Sequence, residues 1–142
     1  MHTLRLFALA SGHFPVCAVL SVDKGTFDCE VLHQLRLLER TRRAAVKGLK
    51  VQWQRFAQAG HGAQLGDSLK RVDPRGIWEF CRGDLRAIGF SDDGRIFLIS
   101  TVLMKQTQKV DRQAVEKAVR VRDEYLRAKV SNQLVWGAPD VA

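Results

Sequence analysis

Residues 77–109 of this chain read IWEFCRGDLRAIGFSDDGRIFLISTVLMKQTQK. Two short connections, Gly83-Asp84 and Asp92-Asp93-Gly94, separate runs that are rich in β-branched and aromatic residues. Short connections of this composition between such runs are the strongest local signal for β-hairpins. The stretch therefore predicts three consecutive antiparallel strands.

Three charged residues stand within or at the end of these apolar strands, namely Glu79, Arg86 and Lys105. Side chains alternate between the two faces of a strand, and residues opposite each other in an antiparallel pair share a face. A two-residue turn at 83–84 sets Glu79 opposite Ile88 and diagonal to Arg86. If the second turn has two or four residues, Arg86 lies on the same sheet face as Lys105 and as every second residue of the third strand from Phe97 onward. A three-residue loop or a bulge would move those third-strand residues to the opposite face. We expect the three charges on one face.

The rest of the chain carries strand and helix signals on both sides of the meander. Phe14 to Val22 has the composition of a strand, and apolar residues at helical spacing from Asp28 to Gly60 predict two helices joined near residues 39–43, with one long helix as the alternative. Asp111 is placed to cap a final helix. We predict an α+β fold, in which a small antiparallel sheet made of the N-terminal strand and the three-stranded meander packs with an N-terminal helical pair and a C-terminal helix.

The domain boundaries follow from where these patterns begin and end. We assign residues 1–13 to an N-terminal extension, residues 14–130 to a single domain, and residues 131–142 to a C-terminal tail. Glycine and proline punctuate residues 60–76, which we interpret as a loop.

Composition narrows the class of partner. The chain has 142 residues and a formal net charge of +8, an excess that favours nucleic acid, the ribosome or another anionic surface as partner. Its three cysteines have no metal-ligand spacing, and an odd number does not suit a disulfide framework. No segment approaches the roughly 20 apolar residues of a membrane span. We expect a cytoplasmic protein with reduced thiols, no metal, no cofactor and no membrane segment.

Three motifs together resemble a known family. Gly76 to Phe80 (GIWEF), Asp84 to Phe90 (DLRAIGF) and Leu103 to Lys109 (LMKQTQK), the last followed by a helix, are similar to the phage-derived branch of the RelE/HigB toxin superfamily. The resemblance implies a RelE-like fold and a type II toxin that cleaves messenger RNA on the ribosome without a metal. It also implies a cognate helix-turn-helix antitoxin as a partner. Gln106 stands where the family has the second lysine of a pair.

The resemblance assigns roles to the charged face. Arg86 matches the family's sheet arginine, Glu79 its acidic residue and Lys105 the first lysine of the pair. Cleavage by the adjacent 2′-hydroxyl requires stabilisation of extra charge on the phosphate, which arginine and lysine can supply. On this hypothesis Arg86 clamps the scissile phosphate, Lys105 stabilises the transition state, and Glu79 orients Arg86 or acts as base. The residues expected to contact RNA or the ribosome are Lys109, Lys70, Arg71, Arg82, Arg42 and Arg43.

Other interpretations stay open at this point. Glu79 and Arg86 could form a cross-strand ion pair without chemistry, and no histidine or tyrosine is well placed as a second proton carrier. Three classes of function remain. They are a ribosome-dependent endoribonuclease, a ParE-like toxin that binds gyrase without cleaving RNA, and a phage or prophage interaction protein that keeps the fold without catalysis.

Overall fold

The structure, a computed structural model, describes residues 3–23, 25–93, 95–107 and 109–137. Two α-helices and eight strands are found in these ranges, and no helix among them is long and apolar enough to cross a membrane. The strands are β1 (Leu4–Ala10), β2 (Val16–Asp23), β3 (Thr26–Asp28), β4 (Leu69–Asp73), β5 (Ile77–Arg82), β6 (Leu85–Asp92), β7 (Ile96–Met104) and β8 (Leu134–Trp136); the helices are α1 (Glu30–Ala59) and α2 (Arg112–Val130).

The prediction of a small antiparallel sheet is wrong, because the described residues form one mixed sheet of eight strands. Seven strands follow the order β4-β5-β6-β7-β2-β1-β8, and β3 pairs with β2 outside this path. Neighbours are antiparallel except β2 with β7 and β1 with β8, which are parallel. The four expected strands are present as β5, β6, β7 and β2, so the error lies in the strands added around them.

Three of the four added strands, β1, β4 and β8, come from segments without a strong strand pattern of their own. β1 lies in the segment assigned to an extension, β8 in the segment assigned to a tail, and β4 in the segment interpreted as a loop. β1 and β8 pair in parallel, with Leu4 beside Leu134, across almost the whole length of the chain. Such pairing depends on a partner that is distant in the chain, so the local sequence gives little indication of a strand. Residues 1–2 of the expected extension and 138–142 of the expected tail lie outside the described residues.

The structure has a single long helix with a kink where two N-terminal helices were expected. α1 runs from Glu30 to Ala59 and departs from helical geometry at Arg42 (φ −134°, ψ 40°), inside the junction expected at residues 39–43. Its buried side chains, among them Trp53 and Phe56, pack on one sheet face against Phe80 and Phe97.

The C-terminal helix covers part of the opposite sheet face. α2 is capped as predicted by Asp111, whose carboxylate accepts a hydrogen bond from the backbone N–H of Ala114 at 3.1 Å. Its apolar side packs with Ile88, Phe90 and Leu98, and Tyr125 lies against the ring of Phe90. The sheet is therefore the central layer between two helices.

The pairing of β5 with β6 confirms the first half of the predicted register, with Glu79 opposite Ile88 and Arg86 opposite Cys81. The second half contains two deviations. Three residues separate Asp92 from its partner Ile96, and a bulge follows between Ile88 and Gly89.

Each of these deviations moves the side chains of β7 to the opposite sheet face, so the two cancel in the part of β7 beyond the bulge. Arg86 stands opposite Leu103 as the predicted parity requires. Between the turn and the bulge the prediction is wrong, because Phe97 and Ile99 belong to the core under α1.

Candidate functional site

A groove of about 400 Å³ opens on the sheet face that carries α2, at the end that the helix leaves uncovered. The segment after β7, which leads into α2, forms one of its walls. The predicted catalytic residues Glu79, Arg86 and Lys105 all line this groove, together with the predicted RNA contact Lys109. The remaining lining residues are Ile88, Leu103, Met104, Gln106, Thr107, Val110 and Asp111.

Glu79 is the buried centre of the charged cluster, since its side chain is only 5% exposed. Its Oε1 lies 3.5 Å from Arg86 Nε, 3.6 Å from Lys70 Nζ and 3.4 Å from the Cys81 thiol. Lys70 stands opposite Glu79 across the β4–β5 ladder, so strand pairing brings a second cation to the same carboxylate. Two cations against one carboxylate leave the cluster with a net positive charge. A buried carboxylate needs such partners, because burying an unpaired charge is costly.

Arg86 is held at the turn that joins β5 and β6. Its Nη1 donates hydrogen bonds to the carbonyl oxygens of Gly83 and Leu85, each at 2.8 Å. Within the described part of the chain, Nη2 has no hydrogen-bond partner. The guanidinium is therefore fixed through Nη1 at the wall of the groove.

Lys105 is fixed through its backbone, which donates a hydrogen bond to the carbonyl oxygen of Asp84 at 2.7 Å. This bond ties the end of β7 to the β5–β6 turn and sets Lys105 beside Arg86. Across the described ranges of the chain, neither Lys105 nor Lys109 takes part in an ion pair. Their charges are available to an anion in the groove.

The N-terminal end of α2 meets the groove at Asp111. The first turn of a helix carries a partial positive charge from its free N–H groups, and here Asp111 caps one of them. The carboxylate of Asp111 is at the same time the second acidic group of the groove, after Glu79.

A second cleft of about 400 Å³ adjoins the first. It is lined by Gly83, Asp84, Arg86, Lys105, Gln106 and Thr107. Four residues line both clefts and so lie where the two meet, namely Arg86, Lys105, Gln106 and Thr107. Asp84 is bound by Arg42, whose Nε donates to the two carboxylate oxygens at 3.2 and 3.0 Å.

Sequence reasoning did not single out Asp84 or Thr107 as site residues. The only local signal for Asp84 is its place in the turn before Arg86. Its ion pair with Arg42, a residue 42 positions earlier in the chain, could not be read from any spacing. Thr107 follows Lys105 within the family-like motif and lines both clefts.

The remaining predicted RNA contacts divide into two groups. Lys70 reaches the groove cluster through Glu79, and Arg42 reaches the second cleft through Asp84. Arg71 instead donates a hydrogen bond to the carbonyl oxygen of Pro74. Arg82 and Arg43 line neither cleft: the first lies against Gly48 of α1, and the second is exposed on that helix.

Two titratable groups near the sheet are poorly suited to catalysis. Burial, reinforced by the charge of Glu79, raises the pKa of the Cys81 thiol to about 11, so it stays protonated and is a poor nucleophile. Burial also lowers the pKa of His61, whose ring packs between Phe56 and Trp78 outside both clefts. The acidic and basic side chains that line the groove are those of Glu79, Asp111, Arg86, Lys105 and Lys109.

Within the described residues, no group of three or more His, Cys, Asp and Glu side chains is arranged to hold a metal ion. The arrangement is that of an anion site, with Arg86, Lys105 and Lys109 around a groove whose floor contains Ile88 and Leu103. Neither the models of known protein families nor the curated proteins contain a match to this chain.

Proposed function

We propose that this protein is the toxin of a type II toxin–antitoxin system, an endoribonuclease that cleaves messenger RNA on the ribosome and so arrests translation. The observation that supports this function is the convergence of Arg86, Lys105 and Lys109 in one groove with partly apolar walls. Phosphate groups suit the cations, and nucleobases suit the apolar surface. The net charge of +8 favours a polyanionic partner such as the ribosome.

In the proposed reaction the 2′-oxygen of the RNA bonds to the adjacent phosphorus as the 2′-hydroxyl gives its proton to water, and the bond from phosphorus to the 5′-oxygen of the next nucleotide breaks. The products are a 2′,3′-cyclic phosphate and a 5′-hydroxyl, whose proton comes from water. Arg86 presents Nη2 to a phosphate oxygen, and Lys105 stabilises the negative charge that develops on the oxygens of the pentacoordinate phosphorus. Glu79 acts as a positioning residue, because its buried Oε1 lies beside Nε of the largely buried Arg86. A cognate helix-turn-helix antitoxin is the proposed neutralising partner.

The test is to induce the chain in a bacterium and to map the 5′ ends of messenger RNA while gyrase-dependent supercoiling is followed. The proposal expects cuts in phase with codons, arrest of growth and normal supercoiling. Lys105→Gln and Arg86→Lys should each lower the cleavage rate by a factor of about 10²–10³, the usual cost of losing one charge-stabilising donor. Lys47→Gln, at an exposed position on α1, is the matched control and should cut at the rate of the unmodified chain.

A second candidate function is an interaction protein without catalysis. It is favoured by the bonds that Arg86 Nη1 makes to two carbonyl oxygens and by its ion pair with Glu79, because together these could serve the fold alone. Folded protein that allows normal growth and leaves messages uncut would support this candidate. Altered supercoiling with intact messages would instead indicate a gyrase-binding toxin, and either result would contradict the endoribonuclease.

A further inference from the structure

The second cleft differs from the first in its chemistry. The first has apolar side chains in its floor, among them Ile88 and Leu103. The second is lined by glycine and by polar or charged residues only, and Asp84 is the one acid among the described residues that line it. The Asp84 carboxylate offers hydrogen-bond acceptors beside Arg86 and Lys105, so this cleft suits a ligand group that carries N–H donors.

Asp84 is held in a fixed orientation from two directions. Arg42 binds its carboxylate through Nε at 3.0 and 3.2 Å, and the backbone N–H of Lys105 binds its carbonyl oxygen at 2.7 Å. Arg42 is also the residue at which α1 departs from helical geometry. The kink therefore coincides with the contact that fixes this carboxylate.

The Asp84 carboxylate keeps capacity for a ligand. Its side chain is 39% exposed, and each carboxylate oxygen can accept more than the one bond that Arg42 supplies. Among the nucleobases, guanine presents two adjacent N–H donors, N1–H and N2–H, on its Watson–Crick edge. Adenine and cytosine place an acceptor nitrogen beside their amino group, and uracil places a carbonyl on each side of its single N–H, so each would set a lone pair against the carboxylate. Guanine is the base that fits.

We propose that Asp84 is a specificity-determining residue that binds the Watson–Crick edge of a guanine next to the scissile phosphate, with Arg42 as its positioning residue. The inference rests on the proposed endoribonuclease function. The RNA strand passes from one cleft to the other beside Arg86 and Lys105, with one nucleotide in each cleft. Single-stranded RNA is commonly recognised in this way, by hydrogen bonds to the edges of unstacked bases.

Binding to short RNAs that cannot be cleaved tests the assignment apart from the reaction. The probes are 2′-O-methyl trinucleotides that differ only in having guanine or uracil at one position, each position being varied in turn. The unmodified chain should prefer guanine at one position by about tenfold, the discrimination typical of a bidentate base contact. Asp84→Asn should reduce that preference to less than about twofold, since the amide offers one acceptor and one donor in place of two acceptors.

Two further variants separate base recognition from stability. Arg42→Gln removes the ion pair but keeps the carboxylate, so it should weaken binding and retain a preference for guanine. Asp67→Asn makes the same charge change at an exposed carboxylate outside both clefts and should leave the preference unchanged. Equal loss of preference in Asp84→Asn and Arg42→Gln would mean that the pair is only structural, and would overturn the inference.

The outcomes also separate this inference from the proposed function. A guanine preference that depends on Asp84, in a protein that leaves messages uncut, would retain the base contact and reject the endoribonuclease. Codon-phased cutting with the same flanking bases in Asp84→Asn as in the unmodified chain would retain the endoribonuclease and reject the base contact. Absence of any base preference in trinucleotide binding would likewise reject it.

Discussion

The salt dependence of RNA binding is the most direct measure of the charge in the groove. The perturbation is the double substitution Lys105→Gln with Lys109→Gln, which removes two cations that form no ion pair within the described residues. Both side chains line the groove, and glutamine keeps most of their length without their charge. The assay is the fluorescence anisotropy of a short single-stranded 2′-O-methyl RNA, measured at salt concentrations between 50 and 200 mM.

The magnitude follows from the number of cations that face the groove. If Arg86, Lys105 and Lys109 each contact one phosphate, log K should fall with log[salt] at a slope of about −2, close to −0.7 for each contact with a single strand. Over the stated range this is a loss of affinity of about twentyfold. With only Arg86 left, the slope should be about −0.7 and the loss about threefold.

Lys47→Gln with Lys50→Gln is the matched control. These residues lie on α1, which packs on the opposite sheet face, so the net charge falls by the same amount away from the groove. Its slope should stay near that of the unmodified chain, because contact with phosphate and not net charge sets the number of ions released. The reasoning is refuted if both double variants have the same slope, since RNA would then bind elsewhere or only through the net charge.

Three further predictions concern the fold that holds the groove. Gly89→Ala should destabilise the protein by ~3 kcal/mol in urea unfolding, because its Cβ would overlap the backbone carbonyl oxygen of Leu98 in β7. Gly62→Ala, whose Cβ would meet nothing within 4 Å, should have a small effect. Equal effects of the two substitutions would contradict this packing. Tyr125→Phe removes a 2.6 Å hydrogen bond to the Asp92 carboxylate and should cost about 1.5–3 kcal/mol of unfolding free energy, so a change below about 0.5 kcal/mol would show the bond to be dispensable. Hydrogen bonds from Arg75 lower the pKa of the Asp73 carboxyl group from 3.8 to about 2. The ionised carboxylate therefore stabilises the fold fully when the pH is above the pKa of the unfolded state, and this stabilisation is lost as the pH falls through the pKa of the folded state. The stability difference between the unmodified chain and Asp73→Asn should accordingly narrow from pH 5 to pH 2, and a constant difference over that range would contradict the assignment.

The charged face was predictable because strand parity is a local property. The two-residue turn at 83–84 fixes the β5–β6 register, and with it the diagonal from Glu79 to Arg86. The position of Lys105 on this face was predicted from an even turn, but it results from a three-residue loop and a bulge that compensate each other. The bulge depends on how closely Gly89 approaches the backbone of β7, which is a tertiary contact.

The sequence by itself determined the meander, the cap of α2, the place of the kink in α1 and the diagonal from Glu79 to Arg86. Each of these follows from interactions between residues that are near in the chain, where spacing specifies geometry. Only the tertiary structure decided how many strands the sheet has, that α2 covers part of the charged face, and that Arg42 meets Asp84. These depend on contacts between distant segments, such as the parallel pairing of β1 with β8, and no local pattern specifies which distant partner a segment will find.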